Sequence, residues 1–371
     1  MAELLKLLSD DTMYIKSQRG FNLSIQDISM NTAYIYDPVY LEHNLSSHPE
    51  NAQRLKRILK TLEDEGMLPR LSLLEPRPAT MKELQRVHTS EHIERVQHGA
   101  EAGGGYLDPD TYISPRSFDA ALMAAGGVVR AVDAVLTGQI ANGFALVRPP
   151  GHHATATRAM GFCLFNNVAV AAQAALTREE VDRLFIVDFD VHHGNGTQDI
   201  FAADPAVFYC STHQYPYYPG TGSWNEMGDG EGAGTLLNAS MPPGVGDDGY
   251  TRVFAELIWP LMERFSPDLI LVSAGYDAHW SDQLAQMSLS LSGYAHLGRE
   301  LVHMAQQCCD GRIVFTLEGG YQLDVLAYGV LNTFYALLGE DTVADPVGPW
   351  SHSERPVDEL ILRLKEAHSL K

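Results

Sequence analysis

The sequence is poor in positive charge and in cysteine. Only 26 lysines and arginines stand against 47 aspartates and glutamates, a formal net charge of −21 at pH 7. Such an acidic excess repels phosphate backbones, which argues against nucleic acid as a direct partner and favours cationic substrates. The four cysteines, Cys163, Cys210, Cys308 and Cys309, form no CxxC pair and no spaced framework. They read as reduced thiols of a cytoplasmic protein, not as disulfides or a thiolate metal site. No stretch approaches the ~20 apolar residues of a membrane span, so no membrane association is expected. There is no internal repeat and no low-complexity linker. The N-terminal segment lacks the basic start and continuous apolar core of a secretory signal. Globular patterning begins near Thr32. Residues 1–29 are read as an arm or appendage, with Met30 as an alternative start, and residues 30–371 as one domain.

What is present is a hydrophobic fraction of 45% over 371 residues, ample for a large core. Apolar runs at Thr32–Tyr36, Phe144–Val147, Leu184–Phe189, Val207–Ser211, Leu269–Ser273 and Ile313–Leu317 read as strands covered on both faces. Segments of helical spacing lie between them: Asn51–Glu65, Ser117–Leu136, Asn167–Leu176, Tyr250–Phe265, Gly293–Cys308 and Leu323–Leu338. Strand and helix in alternation predict a single α/β domain with a mainly parallel central sheet and helices on both faces. In such a sheet ligands bind beyond the carboxyl ends of the strands.

Polar clusters close four of these runs. Phe144–Val147 leads into Arg148-Pro149-Pro150-Gly151-His152-His153, and Leu184–Phe189 into Asp190-Val191-His192-His193-Gly194-Asn195. Leu269–Ser273 leads into Gly275-Tyr276-Asp277, and Ile313–Leu317 into Glu318-Gly319-Gly320-Tyr321. Asp190 and His192 sit two apart on an extended segment, so their side chains share a face. Asp277, from another strand end, can add a third ligand, and three protein ligands with one open position describe a catalytic zinc site. Taken alone, such a pair is more often a hydrogen bond at a strand end. Four polar or histidine-rich clusters on one rim outweigh that reading. His152 and His153 follow two prolines and a glycine, a stiff turn that presents adjacent imidazoles. Metal-assisted hydrolysis needs a base for the water and an acid for the leaving amine, and tandem histidines serve both needs. Tyr321 can donate a hydrogen bond to a carbonyl oxygen as it becomes an oxyanion. In isolation, loop histidines are usually solvated and a tyrosine after a turn is usually packed.

With Gly161-Phe162-Cys163 and Pro219-Gly220-Thr221-Gly222, these motifs resemble the arginase/deacetylase superfamily and, within it, the histone deacetylase-like family. The resemblance runs from about Tyr34 to about Leu338. It implies zinc on Asp190, His192 and Asp277, with iron(II) an alternative for the same hard ligands. It implies His153 as general base and then general acid, His152 as its electrostatic partner, and Tyr321 as the group that polarises the carbonyl. Asp188 would orient His152, and Asn195 would partner His153; an amide there resembles the class II deacetylases. Structural potassium is implied at Asp188, Asp190, His192, Ser211 and Thr212, and a second monovalent site at Phe201 and Val207. Gly161 and Phe162 match one wall of the acyl tunnel, and Tyr215 or a neighbour in Gln214–Tyr218 matches the other. The acidic residue that holds the substrate backbone falls on Asp110, counted back from Phe118. The implied activity is hydrolysis of acetyl amides on lysine side chains of proteins or peptides, releasing acetate.

Other readings stay open in the sequence. Acetylpolyamine amidohydrolases place an acid in the rim loop after the third zinc ligand. Leu284 takes that position here and favours acetyl-lysine peptides, whereas the acidic surface favours acetylated polyamines. A non-catalytic module that binds acyl ligands would not need all these groups. A binuclear manganese site of arginase type needs more bridging carboxylates than His193 and His279 supply. Residues 30–371 are thus expected to form one deacetylase-like catalytic domain. Trp350–Lys371, expected as an amphipathic helix, is a candidate for homo-oligomer contacts.

Overall fold

Every residue of Leu184–Asp188, Leu269–Ala274 and Ile313–Leu317 is buried. Segments so apolar are stable only where helices cover both faces of a sheet. A computed structural model describes residues 31–371, so the expected appendage, residues 1–29, lies outside the described residues. The strands are β1 (Thr32–Ile35), β2 (Ser72–Leu74), β3 (Gly105–Asp108), β4 (Thr111–Ile113) and β5 (Asn142–Ala145). They continue with β6 (Leu184–Asp188), β7 (Val207–Gln214), β8 (Leu236–Met241), β9 (Leu269–Ala274) and β10 (Ile313–Leu317).

Eight of them form one sheet in the order β2-β1-β5-β10-β9-β6-β7-β8, and every pairing in it is parallel. The remaining two, β3 and β4, pair as a separate antiparallel hairpin. β5, β10, β9 and β6 are therefore neighbours at the centre of the sheet. These are the four strands that run into the polar clusters, so parallel pairing alone gathers those clusters on one rim. The fold is the single-domain α/β architecture expected.

The helices Gln53–Asp64, Ser117–Leu136, Asn167–Ala175, Leu291–Cys308 and Leu323–Leu337 match the periodic segments closely. Tyr250–Phe265 differs. The structure starts it three residues earlier and divides it into Asp247–Val253, a widened π turn at Phe254–Ile258, and Trp259–Phe265. Pro260 has no N–H for the regular ladder, and the widened turn lies just before it. The expected helix over Trp350–Lys371 shrinks to Asp358–Ala367, because Pro356 stands before its start; its buried residues are Ile361 and Leu364. No helix among the described residues is long and apolar enough to cross a membrane.

Candidate active site

Asp190 and His192 follow β6, Asp277 follows β9, and the adjacent strands bring the three together. His192 Nδ1 lies 3.2 Å from Asp190 Oδ1 and 3.3 Å from Asp277 Oδ2. The outer carboxylate oxygens are engaged. Asp190 Oδ2 accepts the N–H of Gly319 at 2.8 Å, and Asp277 Oδ1 accepts that of Val191 at 3.0 Å. Asp277 Oδ2 is buried and, despite the nearby imidazole, has no aligned hydrogen-bond donor. Two buried carboxylates aimed at one imidazole nitrogen, with one oxygen orphaned, call for a cation. Two oxygens and a nitrogen suit zinc or iron(II), so these residues fit a divalent metal. Gly319 permits the convergence, since a Cβ there would collide with Asp277 Oδ2.

His152, Cys163 and Glu318 form a second close group. Its donors are already committed: Glu318 accepts from the backbone of Gly151 and His152 and from Ser273, and the Cys163 thiol donates to the Gly161 carbonyl.

The tandem histidines diverge in charge. His152 Nδ1 lies 3.0 Å from Asp188 Oδ2, which also accepts the Tyr209 hydroxyl. Burial opposes its protonation, but Asp188 and Asp190 outweigh that and raise it to about 10. His153 Nδ1 donates to Asn195 Oδ1 at 2.8 Å. Burial, then the positive charges of His152 and His192, hold His153 well below its ordinary range. A charged imidazole thus stands beside a neutral one, with ring centroids 4.0 Å apart. Gly161, at φ +55°, backs His153 so closely that a Cβ would strike its ring.

A cavity of about 230 Å³ opens over these groups, lined by Asp110, His153, Gly161, Phe162, His192, Tyr217, Tyr218, Leu284 and Tyr321. A larger one of about 630 Å³ lies apart, beside the C-terminal helix, and holds none of these residues. Phe162 takes a left-handed conformation, φ 69°, unusual for a bulky residue, with its N–H fixed on Thr111 Oγ1. Its ring meets Tyr321 edge-on at 5.8 Å. Burial pushes the Tyr321 phenol well above its ordinary value, so it stays a donor. Asp110 sits at the mouth, its carboxyl raised by burial and by neighbouring Asp108. Of the tyrosines in Gln214–Tyr218, Tyr217 and Tyr218 line this cavity and Tyr215 does not. Its N–H donates to Met241 O at 2.7 Å, which keeps it with the sheet edge and turns its side chain into the larger cavity. The chain turns back only afterwards, setting Tyr217 against His192 and Tyr218 against His153.

Asp188, Asp190, Ser211 and Thr212 are buried together below the histidines, and Thr212 Oγ1 lies 3.5 Å from Asp188 O. Phe201 and Val207 are buried on either side of the turn into β7, where Asp204 bridges them through backbone bonds.

Sequence reasoning assigned no role to several residues that shape this site. Glu50 receives Arg148 bidentately in full burial, which anchors the turn leading to the histidines. Arg54 reaches the carbonyls of Glu318 and Gly320. Asp282 reaches the backbone of Tyr321. Their spacing carries no signal, because each acts on backbone atoms or on a partner remote in sequence.

The chain matches the histone deacetylase domain family over residues 48–337. It is 41% identical over 351 residues to histone deacetylase 14, chloroplastic, of Arabidopsis thaliana, covering 89% of this chain and 83% of that one. It is 42% identical over 319 residues to a probable deacetylase of Archaeoglobus fulgidus, covering 85% and 88%. Among solved structures, the HDA15 HD domain superposes with a TM-score of 0.84 at 37% identity, over 91% of this chain and 94% of that one.

Proposed function

The chain belongs to the histone deacetylase family, enzymes that hydrolyse acetyl amides, and from that premise we propose that it is a zinc-dependent deacetylase of lysine side chains in proteins or peptides. The observation that carries the reading is the convergence of Asp190, His192 and Asp277, with an orphan carboxylate oxygen, at the floor of a narrow aromatic-walled cavity. Zinc held there, or iron(II) in its place, would act as a Lewis acid on the acetyl carbonyl and ease deprotonation of water.

This chain's own residues do the rest. Asn195 fixes the His153 proton on Nδ1, so Nε2 is free to take a proton from the attacking water. His153 then returns that proton to the nitrogen of the departing amine. Charged His152, steadied by Asp188, favours the negative charge that develops beside it. The Tyr321 hydroxyl donates to the carbonyl oxygen as it becomes an oxyanion. Phe162 and Tyr218 flank a methylene chain and exclude water, and Asp110 at the mouth can accept from a substrate amide N–H. Backbone carbonyls around Asp188, Asp190, His192, Ser211 and Thr212 are suited to a structural potassium ion, and those of Phe201 and Val207 to a second.

A second reading, an acetylpolyamine amidohydrolase, draws on Asp110 in the cavity lining and on the net charge of −21. The two are separated by kcat/KM for an acetyl-lysine peptide and for an acetylated polyamine, measured side by side on zinc-loaded and chelated protein. Peptide preference supports the lysine reading, with Leu284 contributing. Polyamine preference replaces it. Turnover of neither would refute both.

A further inference from the structure

The peptide unit joining Gly320 to Tyr321 is gripped at both polar ends by buried ionic side chains. Its carbonyl, Gly320 O, accepts from Arg54 Nε at 2.8 Å. Its N–H, that of Tyr321, donates to Asp282 Oδ2 at 2.7 Å. The same oxygen accepts the N–H of Gln322 at 3.0 Å, and Asp282 Oδ1 accepts that of Leu284 at 2.9 Å. Asp282 is 6% exposed and Arg54 is fully buried. The Arg54 guanidinium also lies 5.1 Å over the Tyr321 ring.

Holding O and N–H of one peptide at once fixes the plane of that peptide. The plane sets where the next Cα–Cβ bond points, here the bond that carries the Tyr321 phenol. Gly320, at φ +116°, would otherwise leave the joint loose, because glycine populates that region freely. Gln322 caps the helix Leu323–Leu337, so the Asp282 carboxylate also faces the positive end of a 15-residue helix. Its third bond ties in the loop that brings Leu284 to the cavity.

We propose that Asp282 is a positioning residue that, opposite Arg54, clamps the Gly320–Tyr321 peptide and so aims the Tyr321 hydroxyl. This rests on the reading of Tyr321 as the donor to the developing oxyanion. The Asp282 carboxylate bonds only backbone N–H groups, those of Leu284, Tyr321 and Gln322, so it acts through the backbone.

A double-mutant cycle tests it on the full chain, with metal content measured for each variant. Tyr321→Phe alone should lower kcat roughly 10²–10³-fold, the scale of a lost oxyanion donor. Asp282→Ala should lower kcat roughly 10–10²-fold with metal content unchanged, the scale of a small misplacement. In the Tyr321→Phe background, Asp282→Ala should cost nothing further beyond about threefold, because the group it aims is gone. Asp282→Asn keeps one acceptor for the Tyr321 and Gln322 amides, so it should restore kcat while raising KM through the loosened Leu284 loop. Additive losses, loss of metal in Asp282→Ala, or wild-type kcat in that variant would overturn the proposal. Wild-type kcat in Tyr321→Phe would sink the role of Tyr321 itself and is visible in that single variant. If Asp282→Ala does not fold, Asp282→Ser in both backgrounds replaces it.

Discussion

His153 donates its Nδ1 proton to the side-chain oxygen of Asn195 across 2.8 Å, and both residues are buried. The bond decides which ring nitrogen can accept a proton, since the neutral imidazole has one donor and one acceptor. Asn195 opens the helix Asn195–Phe201, and its amide N–H₂ returns to the His153 carbonyl, so ring and amide orient each other. Replacing Asn195 by Ala should lower kcat by roughly 10–10²-fold, in line with the loss of a group that orients a catalytic base, with little change in KM. Steady-state kinetics on an acetyl-lysine substrate checks this, and unchanged kcat would remove Asn195 from the mechanism.

Asp277→Ala removes the carboxylate whose Oδ2 lacks a hydrogen-bond donor. The variant should purify without stoichiometric divalent metal and without activity. Elemental analysis of wild type and variant decides the matter: a variant that keeps full zinc occupancy is not missing a ligand. Chelation of the wild type should abolish turnover, and added zinc should restore it.

Glu50 meets Arg148 and Arg54 with no exposure, and Arg148 also donates to the carbonyls of Tyr40 and His43. Burial opposes ionisation of Glu50, but Arg148, with His43 beside it, holds the carboxyl of Glu50 well below its usual range. Removing one partner of a buried pair leaves the other charge uncompensated. Glu50→Ala should therefore destabilise the fold by roughly 3–5 kcal/mol. Urea denaturation midpoints read this directly, and a change below about 1 kcal/mol would be no more than an exposed pair contributes.

Acid sensitivity follows from His88. Its Nδ1 donates to Thr155 O at 3.0 Å, and its Nε2 accepts the N–H of Asn166 at 2.9 Å. Protonation would turn that acceptor into a donor facing a donor. Burial, then His92, lowers His88 from 6.5 to about 3. The unfolded chain therefore takes up a proton below pH 6.5 that the folded chain refuses until about pH 3, and stability falls as pH falls through that window. At pH 5 the loss should be about 2 kcal/mol from this residue. Stability measured from pH 7 to pH 5 should drop less steeply for His88→Gln than for wild type; parallel slopes would exclude His88 as the source.

Read alone, the sequence already pointed to the family and to the candidate site. Motif residues at strand ends marked the proposed metal ligands, the tandem histidines and Tyr321, and apolar runs alternating with helical segments pointed to the parallel α/β domain. Those signals are local: a period, a stiff turn, or a pair of side chains two apart. Short or partly polar elements were not legible. β2 has three residues, β8 mixes polar with apolar, and the hairpin β3–β4 stands outside the main sheet. Tyr215 was ambiguous against Tyr217 and Tyr218 because only the path of the loop after β7 decides which ring reaches the cavity. Tertiary structure alone decided the strand order that sets β5, β10, β9 and β6 side by side, and the clamps of Glu50, Arg54 and Asp282. Those residues act on backbone groups or partners far along the chain, so no spacing in the sequence announces them. Their effect exists only once the sheet has brought its strand ends together.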